Sequence, residues 1–105
     1  MEKVYSKQTI AILEEIRAIP YGKVDTYGNI AARSGYPNSA RQVARILHSL
    51  SAKEKLPWHR VVGRRGIIAL KGQAKEEQIL LLRSEGVDCL QKKGTFIIPD
   101  ASMRI

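Results

Sequence analysis

The sequence predicts a mainly α-helical domain with short β-strands, in which two helices form a winged-helix-like helix-turn-helix. Apolar residues recur at helical spacing in several segments, two short helical segments meet at a glycine-containing turn, and β-branched residues flank a second tight turn. The 105 residues, 44% hydrophobic and 27% charged, can form a buried core but are too few for two ordinary domains. We therefore expect one domain over residues 1–105.

The first helix is predicted over residues 6–19. Ser6 can cap its start, and isoleucine and leucine recur along it at helical spacing. Pro20 and Gly22 end it, because proline removes a backbone donor and glycine favours a turn. A short extended stretch is expected to follow.

The second helix is predicted over residues 27–34. Asp25 or Thr26 can supply its N-terminal cap, and Gly35 can end it. The turn that follows is short, so the next helix should pack directly against this one.

The third helix is predicted over residues 39–50, where Ser39 and Gln42 have capping-box spacing. One stripe of this helix is apolar and consists of Ala40, Val43, Ala44 and Leu47. A neighbouring stripe is cationic and consists of Arg41, Arg45 and His48. A basic stripe on the second of two short helices is typical of a DNA-binding helix-turn-helix, although a helical hairpin with solvated arginines has the same pattern.

The remaining sequence is predicted to contain short strands around one further helix. These elements are a polar loop at 51–56, strands at 61–62 and 67–70 around 63-GRRG-66, a helix at 74–85 closed by Gly86, and a hairpin about Lys92, Lys93 and Gly94.

The net charge of +8 favours a polyanionic partner, above all nucleic acid. No segment approaches the roughly 18 apolar residues of a membrane span, and the first residues lack the pattern of a secretory signal. We expect a monomer that makes no membrane contact. Its expected location is cytoplasmic, or the nucleoid in a bacterial host.

The single cysteine excludes an internal disulfide. Cys89 has apolar neighbours and is expected to be a small buried residue; the alternative, a nucleophile, would need an activating base such as His59. His48, His59 and Cys89 do not show the spacing of a zinc site. We expect no metal and no cofactor.

Four ordered motifs carry a resemblance to a known family. They are 22-GKVDTYGNIA-31, 37-PNSARQVARIL-47, 57-PWHRVV-62 and 83-RSEG-86. Together they resemble the DNA-binding domain of the O6-alkylguanine-DNA alkyltransferases over roughly residues 9 to 87. The resemblance implies the helix-turn-helix fold of that family's C-terminal domain.

Trp58 stands where the family's Pro-Cys-His-Arg-Val motif has the alkyl-accepting cysteine, which is the mark of the alkyltransferase-like proteins. The resemblance makes His59 and Glu85 the remnants of the proton relay. An indole has no thiolate and its N–H is only a hydrogen-bond donor, so transfer at this position is excluded. Leu50 replaces a base-contacting asparagine and Lys71 replaces a tyrosine. The implied lesion pocket consists of Leu47, Leu50, Trp58, His59, Val61, Lys71 and Glu85.

The resemblance also implies how the domain contacts DNA. The third helix would enter the minor groove, where Ala40 and Ala44 allow close approach. Arg41 would fill the gap left by an extruded base, and Tyr27 would drive the rotation of its 3′ phosphate. The implied backbone contacts are Thr26 and Gly28. Arg45 and Arg64 are further candidates for phosphate contacts, the alternative being two solvated surface arginines.

The implied function is a non-enzymatic sensor that flips and holds O6-alkylguanine and hands the lesion to nucleotide excision repair. Two alternatives stay open at this point. One is an enzyme, either an alkyltransferase using Cys89 or a lyase or glycosylase. The other is a helix-turn-helix transcription regulator, whose affinity would not depend on the lesion.

Overall fold

A computed structural model of the chain describes residues 4–104. Within this range the mainly α-helical fold with short strands is confirmed. The helices are α1 (Lys7–Arg17), α2 (Tyr27–Arg33), α3 (Ala40–Glu54) and α4 (Gly72–Ser84). The strands are β1 (Asp25–Thr26), β2 (Val61–Val62), β3 (Leu90–Lys92) and β4 (Thr95–Ile97). Single 3-10 turns occupy Trp58–Arg60, Arg64–Gly66 and Asp100–Ser102.

The first two helices begin at side-chain caps. The Ser6 hydroxyl accepts a hydrogen bond from the Thr9 backbone N–H at 3.1 Å. Of the two candidate caps for α2, Thr26 is the one used, and its hydroxyl accepts from the Asn29 N–H at 3.0 Å. Each cap satisfies one of the N–H groups that have no partner within the helix. Because Thr26 belongs to β1, it joins that strand directly to the helix-turn-helix.

Helix α3 is longer than predicted and starts differently. It continues to Glu54, so the polar loop predicted at 51–56 was wrong over most of its length. Long-range contacts hold the last turn, because the Glu54 carboxylate accepts from Tyr5 at 2.8 Å and from Arg17 at 2.6 Å. The predicted capping box was also wrong, since the Ser39 side chain makes no cap and instead accepts from Gln8 of α1.

A parallel pair of short strands divides the interior into two cores. Asp25 and Thr26 of β1 are in register with Val61 and Val62 of β2. Successive strand residues point to opposite faces, so Val61 packs into the first core and Val62 into the second. Helices α1, α2 and α3 enclose the first core. Helix α4 and the C-terminal residues enclose the second.

The strand predicted over 67–70 does not form. Ile67 makes an isolated bridge to Ile97, and the Ile68 N–H donates to the Phe96 carbonyl at 3.0 Å. The apolar run therefore has a partner in β4, but it pairs too briefly to be a strand. The predicted C-terminal hairpin is confirmed as β3 and β4. Lys93 and Gly94 have φ values of 47° and 79°, as a two-residue hairpin turn requires.

Candidate nucleic-acid interface

Helix α3 presents the predicted cationic stripe to solvent. Its exposed residues include Arg41, Ala44, Arg45 and His48. The buried face differs from the predicted one, because Val43, Ile46 and Leu47 are buried while Ala44 is exposed and Ala40 is half-buried. The two alanines thus lie at the edge of the basic face rather than in the core, where they leave the helix backbone accessible.

The other predicted DNA contacts occupy different environments. Gly28 is exposed at the start of α2, and Arg64 is exposed in its 3-10 turn. Thr26 is 9% exposed and its hydroxyl caps α2, so its side chain positions the helix. Tyr27 packs half-buried against the first core, and this burial raises the pKa of its phenol above the ordinary 10.0. Tyr27 therefore presents a neutral phenol near the basic face.

An open cavity of about 740 Å³ lies beside this face. Large apolar and aromatic side chains form much of its lining, namely Tyr27, Leu47, Leu56, Trp58 and Leu70. Small residues widen it, namely Ala44, Ser51, Ala52 and Ala74. His48, Lys55 and Glu77 add polar groups to its lining. The cavity thus combines an apolar interior with aromatic surfaces against which a planar ring can pack.

Only two of the residues predicted for the lesion pocket, Leu47 and Trp58, line this cavity. Leu50 is half-buried against the first core, and Val61 is buried within it. Lys71 precedes α4 and lines a separate cavity of about 190 Å³ with Lys75 and Phe96. Leu50 and Val61 thus belong to the packing of the first core, and Lys71 lies outside the larger cavity.

His59 and Glu85 meet in a hydrogen-bonded cluster. The His59 Nε2 lies 2.6 Å from the Glu85 Oε2. The Arg60 guanidinium donates to both Glu85 oxygens at 2.9 to 3.1 Å, and the Gly22 N–H donates at 2.8 Å. Burial alone raises the pKa of the Glu85 carboxyl, but the hydrogen bonds from Arg60, Gly22 and His59 outweigh it. The net effect lowers the pKa from 4.5 to about 2.

This cluster fixes the Trp58–Arg60 turn between α1 and α4. Arg60 also donates to the Ile19 carbonyl at 3.0 Å, and Gln78 of α4 donates to the His59 carbonyl at 3.1 Å. The Trp58 ring meets the His59 ring edge to face, with centroids 6.1 Å apart. Because Glu85 is an ionised acceptor at neutral pH, it orients its donors and lends rigidity to the turn that carries Trp58.

Cys89 is 5% exposed and packs in the second core. Burial raises the pKa of its thiol above the ordinary 9.0. A reactive cysteine needs the opposite, because the thiolate is the nucleophile. Among the described residues, no three His, Cys, Asp or Glu side chains are grouped closely enough to hold a metal ion. No helix in that range is long and apolar enough to cross a membrane.

Sequence reasoning missed the cavity residues at the end of α3 and the start of α4. Leu47, Ser51 and Lys55 follow one another at intervals of four, as do Ala44, His48 and Ala52 on the adjacent stripe. This periodicity would have placed them on one side of the helix had it been continued beyond residue 50. No local pattern could have placed Ala74 and Glu77 opposite them, because that contact joins distant parts of the chain.

A helix-turn-helix with an exposed basic helix is typical of a DNA-binding domain, and here it lies beside an aromatic-walled cavity. The family model for the 6-O-methylguanine DNA methyltransferase DNA-binding domain matches residues 7–87. The chain therefore belongs to this family, and its relatives include proteins of the alkyltransferase-like kind.

Two relatives and one solved structure illustrate the similarity. The chain is 44% identical over 79 residues to a DNA base-flipping protein of Vibrio parahaemolyticus, covering 75% of this chain and 79% of the relative. It is 40% identical over 93 residues to alkyltransferase-like protein 1 of Schizosaccharomyces pombe, covering 87% and 82%. The crystal structure of S. pombe Atl1 with damaged DNA containing O6-carboxymethylguanine matches with a TM-score of 0.84 and 31% identity, covering 98% of this chain and 99% of the other. The resemblance to the family and the fold predicted from it are thus confirmed.

Proposed function

We propose that this protein is a non-enzymatic DNA-damage sensor that binds O6-alkylguanine as a base extruded from the duplex. The proposal rests on the position of Trp58. This unreactive aromatic residue lies in the wall of a cavity of about 740 Å³, beside the exposed basic face of α3. The names of the relatives support it, since one is a DNA base-flipping protein and another has been crystallised with damaged DNA. The proposed location is the cytoplasm, or the nucleoid in a bacterial host, and the proposed active form is a monomer.

Recognition of this lesion requires base extrusion, because the O6 substituent lies on the base edge inside the stack. Extrusion costs a few kcal/mol and leaves a gap in the duplex. Arg41 is exposed on α3 and can stack and hydrogen-bond in that gap with its planar guanidinium. Tyr27 lines the cavity and can crowd the phosphate beside the departing base. These two side chains are the proposed flipping residues.

The rest of the proposed interface holds the duplex and encloses the lesion. Gly28, Ala40 and Ala44 allow close backbone approach, and Arg45 and Arg64 contact phosphates. Thr26 acts mainly through its cap on α2. Leu50 and Val61 support the pocket from the first core. Lys71 lies outside the larger cavity, so it would meet the lesion only at the edge of the site.

We propose further that the bound lesion is held and not repaired. Trp58 has no thiolate to accept an alkyl group. The Glu85 carboxylate already has hydrogen-bond partners in Gly22, His59 and Arg60, so the pair of His59 and Glu85 serves a structural role. After incubation with excess O6-methylguanine duplex, the intact protein should keep its mass, as measured by mass spectrometry. Undamaged duplex is the control. Stoichiometric gain of one methyl group would instead establish an alkyltransferase, with Cys89 the first residue to examine.

The proposed outcome of binding is hand-over to nucleotide excision repair. A binder without chemistry either shields its lesion or signals it, and shielding alone would slow every repair route. Deletion of the gene should sensitise cells to alkylating agents only while excision repair is intact. The measurement compares survival of the single deletions with that of a double deletion that also lacks the pathway's damage-recognition factor. Additive sensitivity in the double deletion would rule out the hand-over.

A further inference from the structure

The C-terminal segment, residues 88–104, lies beyond the part of the chain that the family model matches. It packs back onto the domain through Ile98, which is buried in the second core and whose N–H donates to the Gly66 carbonyl at 2.8 Å. A Cβ at Gly66 would stand 2.5 Å from the Ile98 carbonyl oxygen, and Gly66 has a φ of 80°. Only glycine therefore permits this close approach.

The end of the segment adds a short extended stretch beside β1. The Val24 N–H donates to the Ser102 carbonyl at 2.9 Å, and the Arg104 N–H donates to the Val24 carbonyl at 2.7 Å. Met103 thereby forms a parallel bridge with Val24. Residues 102–104 thus lie beside Val24, the residue that precedes Asp25 and Thr26 at the start of the helix-turn-helix.

The Arg104 side chain then connects β1 to α1. It is 10% exposed, and its Nε and Nη2 lie 2.9 and 2.8 Å from the Asp25 Oδ2. The same guanidinium donates to the Glu15 carboxylate at 3.0 Å and to the Glu15 carbonyl at 3.2 Å. Asp25 is fully buried, and its other oxygen accepts from the Thr26 N–H at 2.9 Å. One guanidinium therefore orients the carboxylate that in turn orients the residue capping α2.

We propose that Arg104 is a positioning residue for DNA recognition, acting through Asp25 on the start of the helix-turn-helix. The connection runs from Arg104 to Asp25, from Asp25 to the Thr26 N–H, and from the Thr26 hydroxyl to the first turn of α2. Tyr27 is the first residue of that helix and lines the cavity. Arg33 also approaches Asp25, with its Nε 3.2 Å from the carboxylate, but its side chain is 36% exposed. It cannot reproduce the contact that Arg104 makes through two nitrogens. The effect on DNA rests on the proposed function, whereas the effect on α2 does not.

The test compares Arg104→Met with Arg17→Met. Both variants lose one positive charge. Arg17, however, pairs at 2.6 Å with Glu54, the last residue of α3, and not with Asp25. In the free, folded protein, amide hydrogen exchange at Thr26 and Asn29 should accelerate about tenfold in Arg104→Met and stay unchanged in Arg17→Met, since only the former frees this cap. Affinity for O6-methylguanine duplex should fall about fivefold further in Arg104→Met than in Arg17→Met.

A conservative variant separates charge from geometry. Arg104→Lys keeps the charge and one hydrogen bond to Asp25, so its exchange rates should fall between wild type and Arg104→Met. If Arg104→Met unfolds, Asp25→Asn combined with Arg104→Met also removes the buried carboxylate charge, which would otherwise keep only the partly exposed Arg33 as its partner, and it is measured instead, with the same acceleration expected. Exchange at Thr26 and Asn29 equal to that of Arg17→Met would overturn the proposal. A wild-type protein without lesion preference would refute the proposed function, and the exchange comparison would still decide the role of Arg104.

Discussion

Replacing Glu85 by glutamine should lower the free energy of unfolding by about 2–3 kcal/mol at pH 7. The side chain is 6% exposed and accepts hydrogen bonds from Arg60, His59 and Gly22. Its pKa of about 2 in the fold, against 4.5 ordinarily, means that folding favours the ionised form. Glutamine keeps the shape but loses the charge, and it leaves Arg60 without its ionic partner. Chemical denaturation measures the difference.

The lowered pKa of Glu85 also predicts that the destabilisation caused by Glu85→Gln depends on pH. A lowered pKa in the fold stabilises the protein fully above about pH 4.5, and this stabilisation is lost as the pH falls towards 2. The difference in unfolding free energy between wild type and Glu85→Gln should therefore shrink over that window. Glu76→Gln, on the exposed side of α4, is the control and should change stability by less than about 0.5 kcal/mol. A difference that stays constant down to pH 3 would refute the role assigned to the Glu85 charge.

Replacing Arg41 by alanine should weaken lesion binding by about 1–3 kcal/mol, or 5- to 150-fold in affinity. Arg41 is exposed on the basic stripe of α3, where its guanidinium is free to enter a duplex. Without a side chain to fill the gap, the cost of extrusion is no longer offset. A fluorescent base analogue beside the lesion, read together with the dissociation constant, measures extrusion and affinity in the same samples.

Arg45→Ala is the matched control, because it removes one arginine from the same stripe one turn further along. As a proposed phosphate contact, Arg45 should support undamaged and lesion duplexes alike, so its loss should weaken both to a similar extent. Arg41→Ala should instead act mainly on the lesion duplex. An unchanged fluorescence signal in Arg41→Ala would exclude its role in extrusion.

Local sequence patterns predicted the parts of the fold that depend on neighbouring residues. The Ser6 and Thr26 caps, the solvent-facing stripe of α3 and the C-terminal hairpin each have a signature a few residues long. The errors arose where distant residues decide the structure. Polar composition suggested a loop after residue 50, but Tyr5 and Arg17 hold Glu54 in the helix. The partner of Ile67 is Ile97, which no local pattern near residue 67 could indicate.

In the candidate site, too, local motifs predicted some residues, whereas others come together only through contacts between distant parts of the chain. The motif resemblance predicted roles for Trp58, His59 and Glu85, and the structure places Trp58 in the cavity wall and the other two in an ionic cluster. Neither motif nor periodicity indicated the part of the cavity contributed by the start of α4. The link from Arg104 to Asp25 spans 79 positions, and recognising it required the fold. The sequence motifs thus predicted individual residues near the cavity, whereas the cavity boundary formed by the start of α4 became visible only in the fold.

In the proposed function, the protein recognises O6-alkylguanine by binding it, without a chemical step. The most direct measurement is a titration of wild-type protein with two duplexes that differ only in carrying guanine or O6-methylguanine at one position. Salt must be held constant, because phosphate contacts make affinity depend strongly on it. We expect tighter binding to the lesion duplex, with extrusion reported by the neighbouring fluorescent base. The O6-methylguanine should still be present in the DNA afterwards, and the protein should be recovered without an added methyl group. Equal dissociation constants for the two duplexes would contradict the proposed recognition.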